Sequence, residues 1–170
     1  SEEAIISFKR IDDLIDRMGT ITRQLKSYAR KGQNTFSNVN MGNAIASSLS
    51  MMEPQLRQRR VLINKTLPSD PVLVLGDRLR IEQVLVNLLR NAIDATKSVR
   101  KPQVDILLTV NDMVTVTVKD NGLGIVDLEE LFEPFYTTKQ LGDGVGLGLA
   151  ISSGIVKDLG GRLTARNAKL

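Results

Sequence analysis

Residues 119–156 read KDNGLGIVDLEELFEPFYTTKQLGDGVGLGLAISSGIV, and six of their glycines fall in two clusters, DNGLG and GDGVGLG. The first cluster follows a predicted strand at 113–120. The second leads into a predicted helix that begins near Val145 and ends before Gly160. Glycine permits tight turns and close approach of other groups, but in a helix it costs about 0.5–1 kcal/mol relative to alanine. The stretch therefore predicts two places where a bare backbone is needed.

The first cluster places a carboxylate beside flexible backbone. Asp120 ends the predicted strand, and Gly122 and Gly124 follow it. Such a carboxylate can accept a hydrogen bond from an exocyclic amine while the glycines let a flat ring approach; an ordinary strand-to-loop turn explains the same residues. The spacing matches neither the dinucleotide fingerprint nor the phosphate loop, which need G-x-G-x-x-G opening a helix or a following G-K-[ST].

The second cluster has four glycines, Gly142, Gly144, Gly146 and Gly148, that run into the start of a predicted helix. Backbone N–H groups at a helix N-terminus point outward, and the helix dipole favours an anion there. We therefore interpret the cluster as a phosphate-binding turn, with a flexible loop as the alternative.

The segment LFEPFYTTK, residues 131–139, lies between the clusters. Leu131, Phe132 and Phe135 are expected to anchor the base of a loop that Pro134 stiffens, which leaves Lys139 able to reach a phosphate. A loop fixed at both ends with a polar, glycine-rich middle is typical of a lid.

A third feature is the pair Asn87 and Asn91 on a helix predicted at 77–97, with Asp77 as its cap. Residues four apart share one helix face. Buried amides require partners, so one of them alone would be an ordinary core hydrogen-bonding residue. Two suggest a shared ligand, and amide oxygens suit magnesium alongside phosphate oxygens.

Composition excludes several kinds of site. The chain has no cysteine and no histidine, so it has no disulfide, zinc site or cysteine nucleophile, and a bound metal would need oxygen ligands. The net charge is +4, and the Lys and Arg residues are scattered along the chain apart from RQRR, residues 57–60. Aromatic residues make up 4% of the chain. With little to stack bases on, we expect no nucleic-acid partner.

The chain divides into a predicted helix at 1–31, a polar linker at 32–38 and a domain at 39–170. The first segment carries a heptad seam and is interpreted as a self-associating helical arm; the alternative is a helix lying on its own domain. No apolar run approaches the ~18 residues of a membrane span. The N-terminus is not typical of a signal peptide and lacks Met, so we expect a segment of a longer protein.

Periodicity in the domain predicts an α+β fold with a mixed, largely antiparallel sheet and three helices on one face. Besides the two helices above, we expect a helix at 42–59 that breaks or kinks at Pro54. The remaining expected elements are strands at 61–67, 72–76 and 104–110, a two-residue hairpin at Asn111-Asp112, and a closing strand at 162–167.

Four segments, NLLRNAIDA, DNGLGI, LFEPFYTTK and GDGVGLGLA, resemble in this order the asparagine, first glycine, phenylalanine and second glycine boxes of bacterial sensor histidine kinases. These kinases belong to the Bergerat-fold ATP-binding superfamily, with Hsp90, type II topoisomerases and MutL. The resemblance covers about 39–168. Residues 17–30 are also similar to the second helix of the kinases' dimerisation and phosphotransfer hairpin. Their sequence resembles that of C4-dicarboxylate sensor kinases.

The resemblance implies that Asn91 holds Mg²⁺, that Asp120 accepts the adenine amino group and that Lys139 contacts phosphate. It further implies catalytic roles for Asn87, Asn91 and Lys139, and a lid hinged at Phe132 and Phe135. The implied ATP-binding set is Asn87, Asn91, Asp120, Gly122, Gly124, Ile125, Phe132, Phe135, Thr138, Lys139, Gly144, Val145, Gly146, Leu147 and Gly148.

The superfamily's hydrolases resemble this sequence but have a glutamate where Asn87 stands. An amide cannot act as a general base for water, so the resemblance implies phosphoryl transfer rather than hydrolysis. The expected acceptor is a histidine on a helix of the parent protein, and the next partner is a response regulator. The parent is expected to be a homodimer in the bacterial inner membrane with this domain on the cytoplasmic side, and the segment alone a monomer.

Two other readings of the sequence remain open at this point. One is an ATP-gated clamp or hydrolase of the Hsp90–MutL–topoisomerase kind, against which Asn87 and the short lid argue. The other is a non-enzymatic helical adaptor with a decayed pocket. Nucleotide binding separates the adaptor from the other two, and phosphate release separates the clamp from the kinase.

Overall fold

The computed structural model describes residues 36–137 and 146–168, together with the single position Gly19. Apart from that position, the expected helix 1–31 lies outside the described residues, as does most of the expected linker 32–38. The described chain contains β1 (Ser37–Asn40), α1 (Met41–Arg59), β2 (Leu62–Thr66), β3 (Leu73–Gly76), α2 (Arg78–Ala95), β4 (Gln103–Val110), β5 (Val114–Asp120) and α3 (Gly148–Asp158).

Three strands form a mixed sheet in the order β2-β4-β5. β2 runs parallel to β4, with Leu62 opposite Gln103, and β4 runs antiparallel to β5, with Val110 opposite Val114. A parallel pair requires a long crossover, and here the crossover contains β3 and α2. β1 and β3 form a separate antiparallel pair.

Burial alternates along β4 and shows which face of the sheet the helices cover. Val104, Ile106 and Leu108 are buried, whereas the positions between them are half-buried or exposed. These three share one core with buried side chains of α1 and α2, and α3 packs against α2 in a second cluster. Each buried aliphatic side chain contributes about 1.5–3 kcal/mol. The predicted α+β sandwich with three helices on one face is confirmed.

Helix α2 is fixed by its cap and its apolar stripe. The Asp77 carboxylate accepts from the N–H groups of Leu79 at 2.9 Å and Arg80 at 3.2 Å, as predicted. Its buried residues are Ile81, Glu82, Val84, Leu85, Leu89, Ala92 and Ile93. Because this face is held against the core, the register of every other α2 side chain is also fixed.

Several predicted boundaries are wrong. Helix α1 continues through Pro54, whose ring is exposed, because Met52 and its other buried residues hold it in the core. The hairpin loop contains three residues, not two: the strands end at Val110 and Val114, and Asn111 N–H donates to the carbonyl of Met113 at 3.2 Å.

The two ends of the domain also differ from expectation. β1 was not predicted, and it begins at Ser37, inside the expected linker, because its short polar sequence SNVN lacks alternation. Residues 162–167 form no strand. There the side chain of Asn167, rather than a ladder of backbone groups, pairs with the backbone of Ile125 at 2.7 and 2.8 Å.

On the outer face of the sheet, the Asp105 carboxylate accepts from Asn64 Nδ2 at 2.8 Å and from Gln103 Nε2 at 2.7 Å. These bonds favour the ionised form and lower the pKa of Asp105, and the charge of Lys119 acts weakly in the same direction. A lowered folded-state pKa adds stability that is present above the ordinary value near 3.8 and is lost as the pH falls through the folded value.

Replacing the capping carboxylate tests what fixes α2. Asp77→Ala is expected to destabilise the domain by about 1 kcal/mol, because two N–H groups lose their acceptor. Urea denaturation measures the change. Asp112→Ala, in the exposed hairpin loop, is the matched control, and equal effects for the two variants would show that the cap does not stabilise α2.

A second prediction concerns the pKa of Asp105. Asn64→Ala removes the largest cause of its lowering, so the pKa should rise toward the ordinary value, and the part of the acid-induced stability loss that comes from Asp105 should become smaller. Carbon NMR titration of the Asp105 carboxyl measures the shift. Asn111→Ala is the control; an unmoved pKa in Asn64→Ala would contradict the assignment.

Candidate functional site

The amide of Asn87 joins helix α2 to helix α3. Its Nδ2 donates to the hydroxyl of Ser152 at 2.9 Å, and Ser152 is only 2% exposed. Its Oδ1 faces Gly148, where an added Cβ would collide with that oxygen. The first residue of α3 must therefore be glycine for the two helices to approach this closely.

The N-terminus of α3 lies at this contact. Its N-cap residue, Leu147, supplies no side-chain hydrogen bond to the first turn, so an anion can act as the acceptor there. The Leu147 side chain is only 8% exposed and packs in the apolar cluster between α2 and α3. Any contact of Leu147 with a ligand must therefore come from its main chain.

The first glycine cluster meets the other end of α2. The Asp120 carboxylate accepts from the N–H of Gly122 at 2.8 Å, which fixes its position at the end of β5. A Cβ added at Gly122 would lie 2.5 Å from the carbonyl oxygen of Ala95, the last residue of α2. As at Gly148, a side chain at Gly122 would collide with α2.

One face of α2 thus contacts both clusters. Asn87, Asn91 and Ala95 are spaced four apart and share that face. Asn87 contacts Gly148 at one end, and Ala95 contacts Gly122 at the other. Eight residues of helix span about 12 Å. Asn91, which is half-buried, lies midway along α2 between the residue that contacts Gly148 and the residue that contacts Gly122.

The loop after the first cluster is held by a residue that the sequence analysis missed. Asn167 accepts from the N–H of Ile125 and donates to its carbonyl, so both backbone groups of Ile125 are engaged. Gly124, with φ +79°, makes the turn that precedes this pair. The backbone position of the half-buried Ile125 is thereby fixed.

The two ends of the predicted lid meet. The Phe135 N–H donates to the Gly146 carbonyl at 2.9 Å, and both residues have positive φ, 70° and 69°. A Cβ at Gly146 would lie 2.5 Å from the backbone of Phe135 and Tyr136. The Phe135 side chain is 67% exposed, so its expected role as an apolar anchor is wrong and its backbone closes the loop instead. Phe132 is half-buried.

Tyr136 directly follows Phe135, at the start of the predicted lid. Partial burial raises the pKa of its hydroxyl, and the negative charges of Asp127 and Glu130 raise it further. The hydroxyl is therefore a neutral hydrogen-bond donor at physiological pH.

Four residues that were expected to bind the nucleotide lie outside the described residues: Thr138, Lys139, Gly144 and Val145. Gly142 of the second cluster lies outside them too. Their expected roles remain predictions.

Ser152 was also missed by the sequence analysis, although a signal for it exists. It is a hydroxyl residue between Ile151 and Ile155, two buried positions of α3, and one turn after Gly148. A buried hydroxyl needs a partner, which points to the amide of the facing helix.

The described residues contain no group of three or more His, Cys, Asp or Glu side chains able to hold a metal. Among those same residues, no helix is both long enough and apolar enough to cross a membrane.

A family model described as histidine kinase-, DNA gyrase B- and HSP90-like ATPase matches residues 76–169, over half of the chain. The chain belongs to this ATPase family. The matched range begins directly before the cap of α2 and includes both glycine clusters, so the residues gathered around α2 belong to an ATP-binding domain.

Curated relatives within the ATPase family are sensor proteins. The chain is 37% identical over 98% of its length to the C4-dicarboxylate transport sensor protein DctB of Pseudomonas aeruginosa. It is 39% identical over 92% of its length to the protein of that name from Rhizobium meliloti. The chain spans only 28% and 25% of these relatives, about a quarter of their length.

Solved structures agree with this assignment. The catalytic domain of histidine kinase ThkA matches with a TM-score of 0.69 at 30% identity, covering 79% of this chain and 88% of that one. ThkA in complex with the response regulator TrrA matches with a TM-score of 0.76 at 27% identity, covering 94% and 46% respectively. The fold of the chain is therefore that of a histidine kinase catalytic domain.

Removing the Ser152 hydroxyl tests the contact between α2 and α3. Ser152→Ala is expected to destabilise the domain by about 1–2 kcal/mol, because it leaves the Asn87 amide without its buried acceptor. Urea denaturation measures the change. Ser153→Ala makes the same change one position along α3 and should cost less than about 0.5 kcal/mol. Equal costs would show that the bond to Asn87 has no special weight.

Proposed function

We propose that the chain is the catalytic domain of a sensor kinase related to the C4-dicarboxylate sensors, and that it holds Mg-ATP for transfer of the γ-phosphoryl group to a histidine elsewhere in the parent protein. The observation that carries the proposal is the single face of α2 that meets both glycine clusters, with Asn91 between them. That arrangement provides one continuous site for a base at one end and phosphates at the other.

The base is proposed to bind at the end of α2 nearer β5. One oxygen of Asp120 is occupied by the N–H of Gly122, which fixes the carboxylate and leaves further lone pairs for an exocyclic amine. Gly122 and Gly124 leave the backbone bare, and Ile125 supplies an apolar side chain. This geometry favours adenine, which has such an amine.

The phosphates are proposed to bind at the start of α3. The N-terminus of this helix has no side-chain cap, so its first N–H groups can bond to an anion. Asn91 would hold Mg²⁺ through its amide oxygen, and that ion would offset phosphate charge. Lys139, outside the described residues, is proposed to add a second positive charge from the lid.

Asn87 supports transfer rather than hydrolysis. Its amide is engaged by Ser152 and cannot accept a proton from water. A neutral imidazole needs no deprotonation before it attacks phosphorus, so positioning and charge neutralisation are sufficient. In that step a P–N bond forms, the bond to the β-γ bridging oxygen breaks, and ADP leaves.

The acceptor must come from another chain segment, because these 170 residues contain no histidine. We propose that it is carried by a helical hairpin of the parent, with 1–31 as one of its helices, 32–38 as linker and 39–170 as the catalytic domain. The parent is proposed to be a dimer in the inner membrane with this domain in the cytoplasm. A response regulator is the proposed next acceptor, supported by the neighbour crystallised with one.

Binding measurements test the nucleotide site. Asp120→Ala and Asn91→Asp should each weaken ATP binding by about tenfold or more, because the first removes the proposed acceptor of the adenine amine and the second places a negative charge beside the phosphates. Isothermal titration calorimetry with Mg-ATP measures the affinity, and circular dichroism checks folding. Asp112→Ala is the control, and unchanged affinity in either site variant would contradict the assignment.

Activity measurements separate the kinase from a hydrolase of the same family. The chain should release almost no phosphate from ATP alone, yet should slowly phosphorylate a separately made hairpin that carries a histidine from a related kinase. Radiolabelled ATP measures both reactions. A hairpin with His→Gln is the control; rapid phosphate release without transfer would contradict the kinase proposal.

A further inference from the structure

A cleft of about 560 Å³ lies between the end of α1, the loop from α2 to β4 and the start of β2. Its walls are tied together by the N–H of Leu62, which donates to the carbonyl of Pro102 at 2.9 Å. We call this the basic cleft. It is lined by Arg59, Arg60, Leu62, Thr96, Lys97, Val99, Arg100, Lys101 and Pro102, none of which belongs to the nucleotide site.

Five of these nine residues are cationic, and nearby acids offset little of their charge. Asp94 lies 3.4 Å from Arg59 and 3.6 Å from Lys97. The C-termini of α1 and α2 add about half a negative charge each. About three positive charges remain at the cleft, most of the net +4 of the whole chain.

Two local features indicate that this charge serves a ligand rather than the helix ends alone. Nη1 of Arg59 is buried and makes no hydrogen bond within the described chain, although it forms an ion pair with Asp94 at 3.4 Å. Most buried guanidinium nitrogens are hydrogen-bonded. Arg60 has φ 53° at the end of α1, where glycine is the usual residue. The chain keeps a cation here at a conformational cost.

The floor of the basic cleft is apolar. Leu62 is 57% exposed, and Val99 and Pro102 are half-buried beside it. Within the described chain β2 is the end strand of its sheet, so its outer edge offers unpaired backbone groups. No aromatic side chain lines the cleft, which disfavours nucleic acid.

We propose that the basic cleft binds an acidic peptide segment of a protein partner. Its carboxylates would pair with the exposed cations Arg60, Arg100 and Lys101, and an apolar side chain would cover Leu62. A free phosphate would use the charge but not the apolar floor or the strand edge. The partner is thus an acidic, extended segment with interspersed apolar residues.

Fluorescence anisotropy of a labelled peptide that repeats Glu-Leu-Glu-Asp tests the proposal, with the whole chain and saturating ATP present. Binding should weaken with added salt. It should fall by about tenfold in the double variant Arg100→Gln/Lys101→Gln, whose side chains are exposed and tolerate the change. Lys157→Gln/Arg162→Gln removes the same charges elsewhere and should leave binding unchanged.

Arg60→Gly provides a second test, and its expected result cannot be attributed to misfolding. Glycine suits the positive φ, so the variant should keep or gain stability in urea while its affinity for the peptide falls. A peptide with lysine in place of every acid should not bind. Equal peptide binding by the charge variants, absence of binding, or binding of sodium tripolyphosphate but not peptide at the cleft would each overturn the proposal.

Discussion

The site depends on how closely α2 and α3 can approach. Asn87 fills the space between them, with one amide atom bonded to Ser152 and the other against the backbone of Gly148. A side chain at that glycine would push the start of α3 away from α2. The uncapped N-terminus of α3 would then move away from α2, and with it the turn proposed to bind phosphate.

The rest of the domain holds α2 in place for this contact. Its apolar stripe packs on the sheet, and its Asp77 cap sets where the helix begins. Since both glycine clusters contact the same face of α2, one helix fixes the distance between Gly122 and Gly148. A backbone bond from Phe135 to Gly146 brings the two ends of the predicted lid together.

The sequence was sufficient for the parts that depend on local pattern. The α2 stripe and cap, the paired asparagines and the alternation along β4 follow from periodicity and simple capping chemistry. The contact of Asn167 was not predictable, because its partner lies 42 residues away. The position of Ser152 between buried residues was a signal for a polar contact, but its partner lies 65 residues away. The basic cleft likewise assembles three segments that only the fold brings together. β1 was missed because its four residues, mostly polar, show no apolar alternation. Met113 was assigned to the following strand because the sequence has no distinct signal for a three-residue hairpin loop.

A double-mutant cycle at Asn87 and Gly148, read out as ATP affinity by calorimetry, tests this account most directly. Gly148→Ala should weaken binding by about tenfold in the natural sequence but far less when Asn87→Ala has already made room for the new methyl group. Gly154→Ala, in the same helix with no atom within 4 Å of an added Cβ, is the control and should have no effect. Equal weakening by Gly148→Ala in both backgrounds would contradict the claim that this contact sets the nucleotide site.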